Sequence, residues 1–392
     1  MLILKIKNKT IIISILLLLI FSSIQNINGI RINTSETSEG NYEYFSFQNM
    51  TRFLTELYEN NSDIMNLKSI GKTYEGRDIW LVKISDNVEL DEEEPGVLLM
   101  GAHHGNEKPS FEVLINFTKH IVENYNKKNY DNDNDGYLNE DIIDGFDNDL
   151  DGLVDEDPSE ERVREVVNST QIYIIPMVSP DGVEANTRKN CVPNYGLFGL
   201  SDHITSYGVN LNRNYGFKWN YQFIFPLRFH LLNIWDKSHN YRGVKPFSEN
   251  ETRAVKNLVE SSNISISLSY HSYAEVMFYP WMHTSMDNPH EKLFISVGQN
   301  MSKINKYRLL THGLYNKSYT IPRLGGNLGT SENWLYGVHN IIAFTMELCK
   351  TRAPTKPDVV KDYLKKHIGV NLYVCERAQT IQEEKDLSFE DE

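Results

Sequence analysis

Four largely apolar runs, at 97–100, 172–178, 264–270 and 341–346, alternate along the chain with stretches in which apolar residues recur every three or four positions. The runs predict buried strands and the periodic stretches predict amphipathic helices. Phe45, Phe53, Leu54 and Leu57 give a helical face over 44–57, and Val113, Leu114, Phe117, Ile121 and Tyr125 give another in a helix opened by Pro109. A hairpin is expected from strands at 67–70 and 79–82 joined by Tyr74-Glu75-Gly76-Arg77. Further helices are expected at 160–167 and after Ser248-Glu249-Asn250-Glu251, which has the sequence of a capping box and precedes Ala254, Leu258 and Val259. The aromatic-rich region 219–235 has no clear period and reads as a loop with a short helix.

Alternation of apolar strands with helices is the pattern of an α/β fold, with a mostly parallel mixed central sheet covered by helices on both faces. Ligands in such sheets bind beyond the carboxyl ends of the strands. His104 follows the first run, Pro180-Asp181-Gly182 the second and His271 the third, while Glu347 ends the fourth. Four polar signals therefore fall on one rim.

The N-terminus changes the picture of compartment. Lys5, Lys7 and Lys9 precede an apolar run over 11–21 and then small and polar residues ending near Gly29. This layout predicts a secretory signal over 1–29 and a secreted, extracellular protein, with an uncleaved N-terminal anchor as the alternative. No other stretch approaches the length of a membrane span, so no stable membrane insertion is expected after signal cleavage. Residues 30–41 read as a linker, 42–378 as the main domain and 379–392 as an acidic tail. Asn-x-Ser/Thr sequons begin at Asn33, Asn49, Asn60, Asn116, Asn168, Asn250, Asn263, Asn300 and Asn316, which suits a glycoprotein. The 3 cysteines, an odd number, make no disulfide framework.

The net charge of −14 is concentrated rather than spread. Between Asn129 and Pro158 stand 12 Asp or Glu residues and no Lys or Arg, and the remainder is nearly neutral. No basic stripe accompanies it, so no nucleic-acid partner is expected.

His104 and Glu107 stand three apart in the turn after the first run, where an imidazole and a carboxylate can face one cation, a pairing suited to zinc. In order along the chain come His104-Gly-Asn-Glu107, Arg188, Asn212-Arg213-Asn214, Tyr241-Arg-Gly with Phe247-Ser-Glu-Asn-Glu251, His271-Ser-Tyr273 and Thr345-Met-Glu347. Together, over about 44–378, they resemble the motifs of the zinc metallocarboxypeptidases related to carboxypeptidases A and B. Asn106 is closer to the regulatory, carboxypeptidase E/N-like branch than to the digestive one.

The resemblance implies an α/β/α fold, one catalytic zinc held by His104, Glu107 and His271, and hydrolysis of the C-terminal bond of peptides or proteins. In the family the metal keeps an open position for water, and Glu347 stands where the general base activates that zinc-bound water. Arg188 resembles the residue that stabilises the developing oxyanion, and Asn212 and Arg213 those that hold the substrate's terminal carboxylate. Tyr319 is the candidate for the family's mobile tyrosine, with Tyr315 the alternative because 321–328 is longer than usual. Glu332, two before Trp334, falls at the base of the pocket for the departing side chain and predicts a preference for C-terminal Lys or Arg.

Departures from the family carry their own expectations. Asn210 stands where an aspartate supports a zinc-bound histidine, which predicts a less basic ligand and weaker zinc binding. The residues after Glu347 are too few for the regulatory branch's β-sandwich. Residues 30–41 leave no room for an inhibitory propeptide, which predicts secretion as an active enzyme. His103, His120, His239, His283 and His339 are expected to serve packing or solvent contacts.

Asp131-x-Asp133-x-Asp135-Gly136 and Asp147-x-Asp149-x-Asp151-Gly152 share one internal spacing, and alternating carboxylates before a glycine can wrap calcium. Ile142 and Pro158 occupy the twelfth positions, which argues against EF-hands. The insertion over 129–158 resembles thrombospondin type 3 calcium loops; a disordered acidic loop is the alternative. Two further readings stand beside the carboxypeptidase: a zinc amidase or endopeptidase on modified or cell-wall peptides, and a non-catalytic calcium-dependent binding protein. Retained Asn212 and Arg213 argue against the first, and Glu347 with the full ligand set against the second.

Overall fold

A computed structural model describes residues 40–126, 159–191, 208–220, 238–284, 286–311 and 328–387. Tyr319, Tyr315, the six aspartates of the acidic loops and the segment 1–39 lie outside the described residues.

Eight strands form one mixed sheet in the order β1-β2-β4-β3-β5-β8-β6-β7. They are β1 (Met65–Lys72), β2 (Asp78–Ile84), β3 (Gly96–Met100), β4 (Gln171–Ile175), β5 (Ile264–Ser272), β6 (Val276–Phe278), β7 (Arg308–Leu310) and β8 (Ile342–Leu348). The central four, β4-β3-β5-β8, pair in parallel, while β1-β2, β2-β4 and β6-β8 pair antiparallel. Parallel strands covered on both faces need no polar side, which is why Val97, Leu98, Leu99 and Met100 are all fully buried.

The main described helices are α1 (Phe47–Asn60), α2 (Pro109–Tyr125), α3 (Ser159–Val167), α4 (Pro180–Glu184), α5 (Asn250–Glu260), α6 (Glu291–Asn305), α7 (Ser331–His339) and α8 (Pro357–Leu387). Side-chain alternation along the strands builds the two layers. Leu98, Met100, Tyr173 and Ile175 join Ala254, Val255 and Leu258 of α5 and Trp334 and Leu335 of α7 in one apolar core. On the other face α2 and α8 contact β3 and β5. Burial of each such side chain is worth about 1.5–3 kcal/mol, so the central strands are the stiffest base available for a site.

Local sequence accounts for most boundaries. Ser46 caps α1 by accepting from the Asn49 amide, and Met50, rather than Phe45, completes the buried face with Phe53, Leu54 and Leu57. The capping box at 248–251 does not form. Glu249 is the N-cap of α5 and makes no side-chain cap; Ser248 Oγ donates instead to Glu249 Oε1 and accepts from Asn214 Nδ2. Glu251 is buried beside Asn190 rather than turned back on the helix end. The acidic tail expected from 379 is, as far as Leu387, the last part of α8.

Candidate metal centre and active site

The polar residues of the site stand on the carboxyl ends of the central parallel strands. After β3 the chain turns sharply at Ala102, whose φ of 48° lies in the left-handed region. That turn, with Gly105 packed backbone to backbone on Gly182, brings His104 and Glu107 together above the strand end. His271 lies in β5 and pairs in register with Glu347 on β8.

His104 Nδ1 lies 3.0 Å from Glu107 Oε2 and 3.1 Å from His271 Nδ1, and His271 Nδ1 lies 2.9 Å from Glu107 Oε2. All three side chains are buried, and among the described residues no other buried trio of metal-ligating side chains converges in this way. The triangle fits a small dication: zinc–ligand bonds of about 2.0–2.1 Å in a tetrahedron place the ligand atoms roughly 3.3 Å apart. The far nitrogens fit as well. His104 Nε2 faces Asn210 Oδ1 at 2.9 Å, and donation there leaves the Nδ1 lone pair free for a metal.

The electrostatics of Glu107 and His104 agree with ligation, and a metal would take the place of the proton favoured on His271. Burial opposes ionisation of Glu107, but the two adjacent imidazoles hold its carboxyl well below the usual range. Burial, reinforced by Arg188, lowers His104 to about 3, so this ring is neutral and can donate its lone pair. Burial would also lower His271, but the hydrogen bond and attraction of Glu107 prevail and raise it.

Around this triangle lie the other expected residues. Arg188, on the loop after α4, donates from Nη1 to Glu107 Oε1 at 2.9 Å and keeps part of its side chain exposed. Asn212 and Arg213 form a short 3-10 turn, Leu211–Arg213. The Asn212 amide is oriented by the Ser331 N–H, which donates to its Oδ1 at 2.8 Å; its Nδ2 lies 3.3 Å from His271 Nε2. Burial lowers the Arg213 guanidinium to about 10, with Arg188 adding to the fall and Glu332, Glu347 and Glu107 opposing it. Glu332 is buried in the first turn of α7 and accepts from Thr345 Oγ1 at 3.1 Å. Burial lifts Glu347 to about 7, with Glu107 adding to the rise and His271, Arg188 and Arg213 opposing it.

His104, Glu107, Arg188, Asn212, Arg213, His271, Glu332 and Glu347 are thus brought into one neighbourhood. His103 is the residue that sequence reasoning set aside. It is fully buried against the site, its ring stacked at 19° on His271 with centroids 5.6 Å apart. A signal for its partner exists in β5, where serines alternate with apolar residues in a strand buried along its whole length. Ser269 shares a face with His271, two residues on.

Residues 50–369 match the zinc carboxypeptidase family. A zinc carboxypeptidase of Saccharothrix mutabilis subsp. capreolus is 27% identical over 335 residues, which cover 81% of this chain and 64% of that protein. Carboxypeptidase D of Rattus norvegicus is 23% identical over 344 residues, 82% of this chain and 20% of the relative. The chain therefore spans less than two thirds of either relative's length. In structure it is similar to thrombin activatable fibrinolysis inhibitor, with a TM-score of 0.62 at 18% identity over 85% of this chain and 75% of that one. With the family match running through the whole described sheet and a His-Glu-His triangle at its carboxyl edge, the chain belongs to the zinc carboxypeptidase family.

Proposed function

We propose that the protein is an exported metallocarboxypeptidase that hydrolyses the last peptide bond of peptides or proteins, with a preference for C-terminal Lys or Arg. The observation that carries this reading is the placement of Glu347, beside His271 across β5 and β8, within electrostatic reach of Arg188 and Arg213. A base, an oxyanion-stabilising cation and a carboxylate-binding cation then surround one metal triangle.

His104, Glu107 and His271 would hold zinc, which when bound would supply Lewis-acid chemistry. Glu347 is the base that takes a proton from the attacking water on its carboxylate and delivers it to the nitrogen of the departing amino acid. Arg188, steadied by Glu107, faces negative charge as it grows on the carbonyl oxygen. Arg213 and the Asn212 Nδ2 group bind the free terminal carboxylate, Arg213 through a fork of parallel N–H donors. To Tyr319, outside the described residues, we assign the role of the family's tyrosine over the bound residue, with Tyr315 the alternative. Glu332, buried with the Thr345 hydroxyl on one oxygen, receives a cationic side chain.

Export and glycosylation belong to the same reading. Asn49, Asn60, Asn168, Asn250 and Asn263 are exposed sequon asparagines, and no helix among the described residues is long and apolar enough to cross a membrane. For the acidic insertion, outside the described residues, we assign Asp131, Asp133 and Asp135 to one calcium ion and Asp147, Asp149 and Asp151 to a second on their sequence spacing alone, with a structural rather than catalytic role.

The decisive assay follows release of free amino acids from peptides ending in Lys, Arg, Leu and Phe, with and without a chelator, beside Glu347→Gln. Release is expected to stop with chelator and to fall by about 10²–10⁴-fold in the variant. Equal cleavage of peptides with amidated C-termini, which offer Arg213 no carboxylate, would overturn the exopeptidase reading.

A further inference from the structure

The two histidines of the metal triangle are supported differently. His104 donates to one amide oxygen, that of Asn210. Behind His271 lies a line of buried polar groups: Ser269 Oγ is 3.3 Å from His271 Nε2, His103 Nδ1 is 3.2 Å from Ser269 Oγ, and Tyr215 Oη is 2.8 Å from His103 Nε2. All four side chains are fully buried.

Donor and acceptor counts fix the direction of this line. When His271 Nδ1 is given to the metal, the ring's proton sits on Nε2. Asn212 does not accept it, because the Ser331 N–H on its Oδ1 turns the amide so that its NH₂ group is the end facing His271 Nε2. Among the described residues, Ser269 Oγ is the acceptor in reach of that N–H. The Ser269 hydroxyl proton must then point elsewhere, and His103 Nδ1 receives it. His103 consequently carries its own proton on Nε2 and donates it to the Tyr215 oxygen.

From this geometry we infer that His103 is a positioning residue: through Ser269 it fixes the tautomer and ring angle of His271 and so sets how tightly His271 holds the metal. This inference rests on the zinc reading of the triangle. A neutral chain of hydrogen bonds makes each acceptor better as the next bond forms, so Ser269 polarised by His103 is a stronger acceptor than an isolated serine. The ring stacking of His103 on His271 adds steric support in the same sense.

The test measures zinc affinity of the metal-free full chain by competition with a chromogenic chelator, for wild type, Ser269→Ala, His103→Leu and His103→Asn. Loss of an outer hydrogen-bond partner costs roughly 10–100-fold in metal affinity, and Ser269→Ala and His103→Leu are expected in that range. His103→Asn keeps an acceptor where Nδ1 stood and should recover most of the loss, although it gives up the tyrosine contact. Proton NMR of isotope-labelled histidine supplies a second readout: the His271 Nε2–H signal should shift upfield in both weakened variants. Thermal melting of the metal-free variants separates this effect from unfolding. One equivalent of zinc bound with equal affinity by wild type, Ser269→Ala and His103→Leu would overturn the inference alone. A wild-type chain that takes up no zinc would overturn the zinc reading beneath it.

Discussion

His104 Nε2 faces Asn210 Oδ1 at 2.9 Å, while Asn210 Nδ2 donates to the carbonyl oxygen of His239 at 3.1 Å. An aspartate at 210 would make His104 a more basic ligand but would set one carboxylate oxygen against that carbonyl. Asn210→Asp is therefore expected to tighten zinc by roughly tenfold. The same change should destabilise the metal-free protein by about 1–3 kcal/mol, the cost of a buried acceptor without a donor. Chelator competition and denaturant unfolding measure the two effects separately, and unchanged zinc affinity would remove the argument about ligand basicity.

Glu332 gives a specificity prediction. Replacing it with Ile leaves a cationic side chain without its buried partner, so kcat/KM for peptides ending in Lys should fall by at least about 30-fold. Peptides ending in Leu should improve or hold steady. Wild-type release of Phe or Leu as fast as Lys and Arg would count against the role given to Glu332.

Glu251 makes stability depend on pH. Burial lifts its carboxyl to about 8, with Glu249 and Asp181 adding to the rise and its own backbone amide and Asn190 opposing it. Because the folded-state value lies above that of the unfolded chain, its contribution is fully present below about pH 4.5 and is lost as pH rises through 8. Glu251→Gln should melt close to wild type near about pH 5 and be the more stable protein near about pH 9, by on the order of a few kcal/mol. A melting difference that does not change with pH would show that Glu251 is ionised throughout.

For the acidic insertion, calcium is expected to order the two aspartate loops and protect 129–158 from limited proteolysis. Equal cleavage in calcium and in chelator would sink the calcium assignment.

Much of this arrangement was legible from the chain because buried parallel strands write themselves as apolar runs. All four predicted runs fall on the central strands, and the expected His104, His271 and Glu347 stand at their ends. The last two strands of the sheet, β6 and β7, are three residues each, too short to carry a period. The helix α8 was hidden for the opposite reason. Val360, Tyr363, His367, Val370, Asn371, Val374 and Cys375 are all buried, so its inward surface includes polar groups and spreads too widely for a clean stripe. The capping box failed because Asn214 and Asn190 draw Ser248 and Glu251 into tertiary hydrogen bonds, which outweigh a local cap. His103 was passed over because its spacing does not suit ligation, and its partner Ser269 is distant in sequence.

Gly105 and Gly182 meet so closely that a methyl group built on Gly105 would fall 1.9 Å from the Gly182 carbonyl carbon. The Asn106 amide donates to Thr187, and Thr187 in turn donates to Gly182, so the turn bearing His104 and Glu107 is sewn to the strand of loop leading to Arg188. His104, Glu107 and the loop bearing Arg188 are therefore tied into one backbone unit, while His271 comes from β5. On the proposed reading, a designer seeking to retune the turn inherits a change at Arg188, and selectivity would be altered more independently through Glu332, which stands on its own helix.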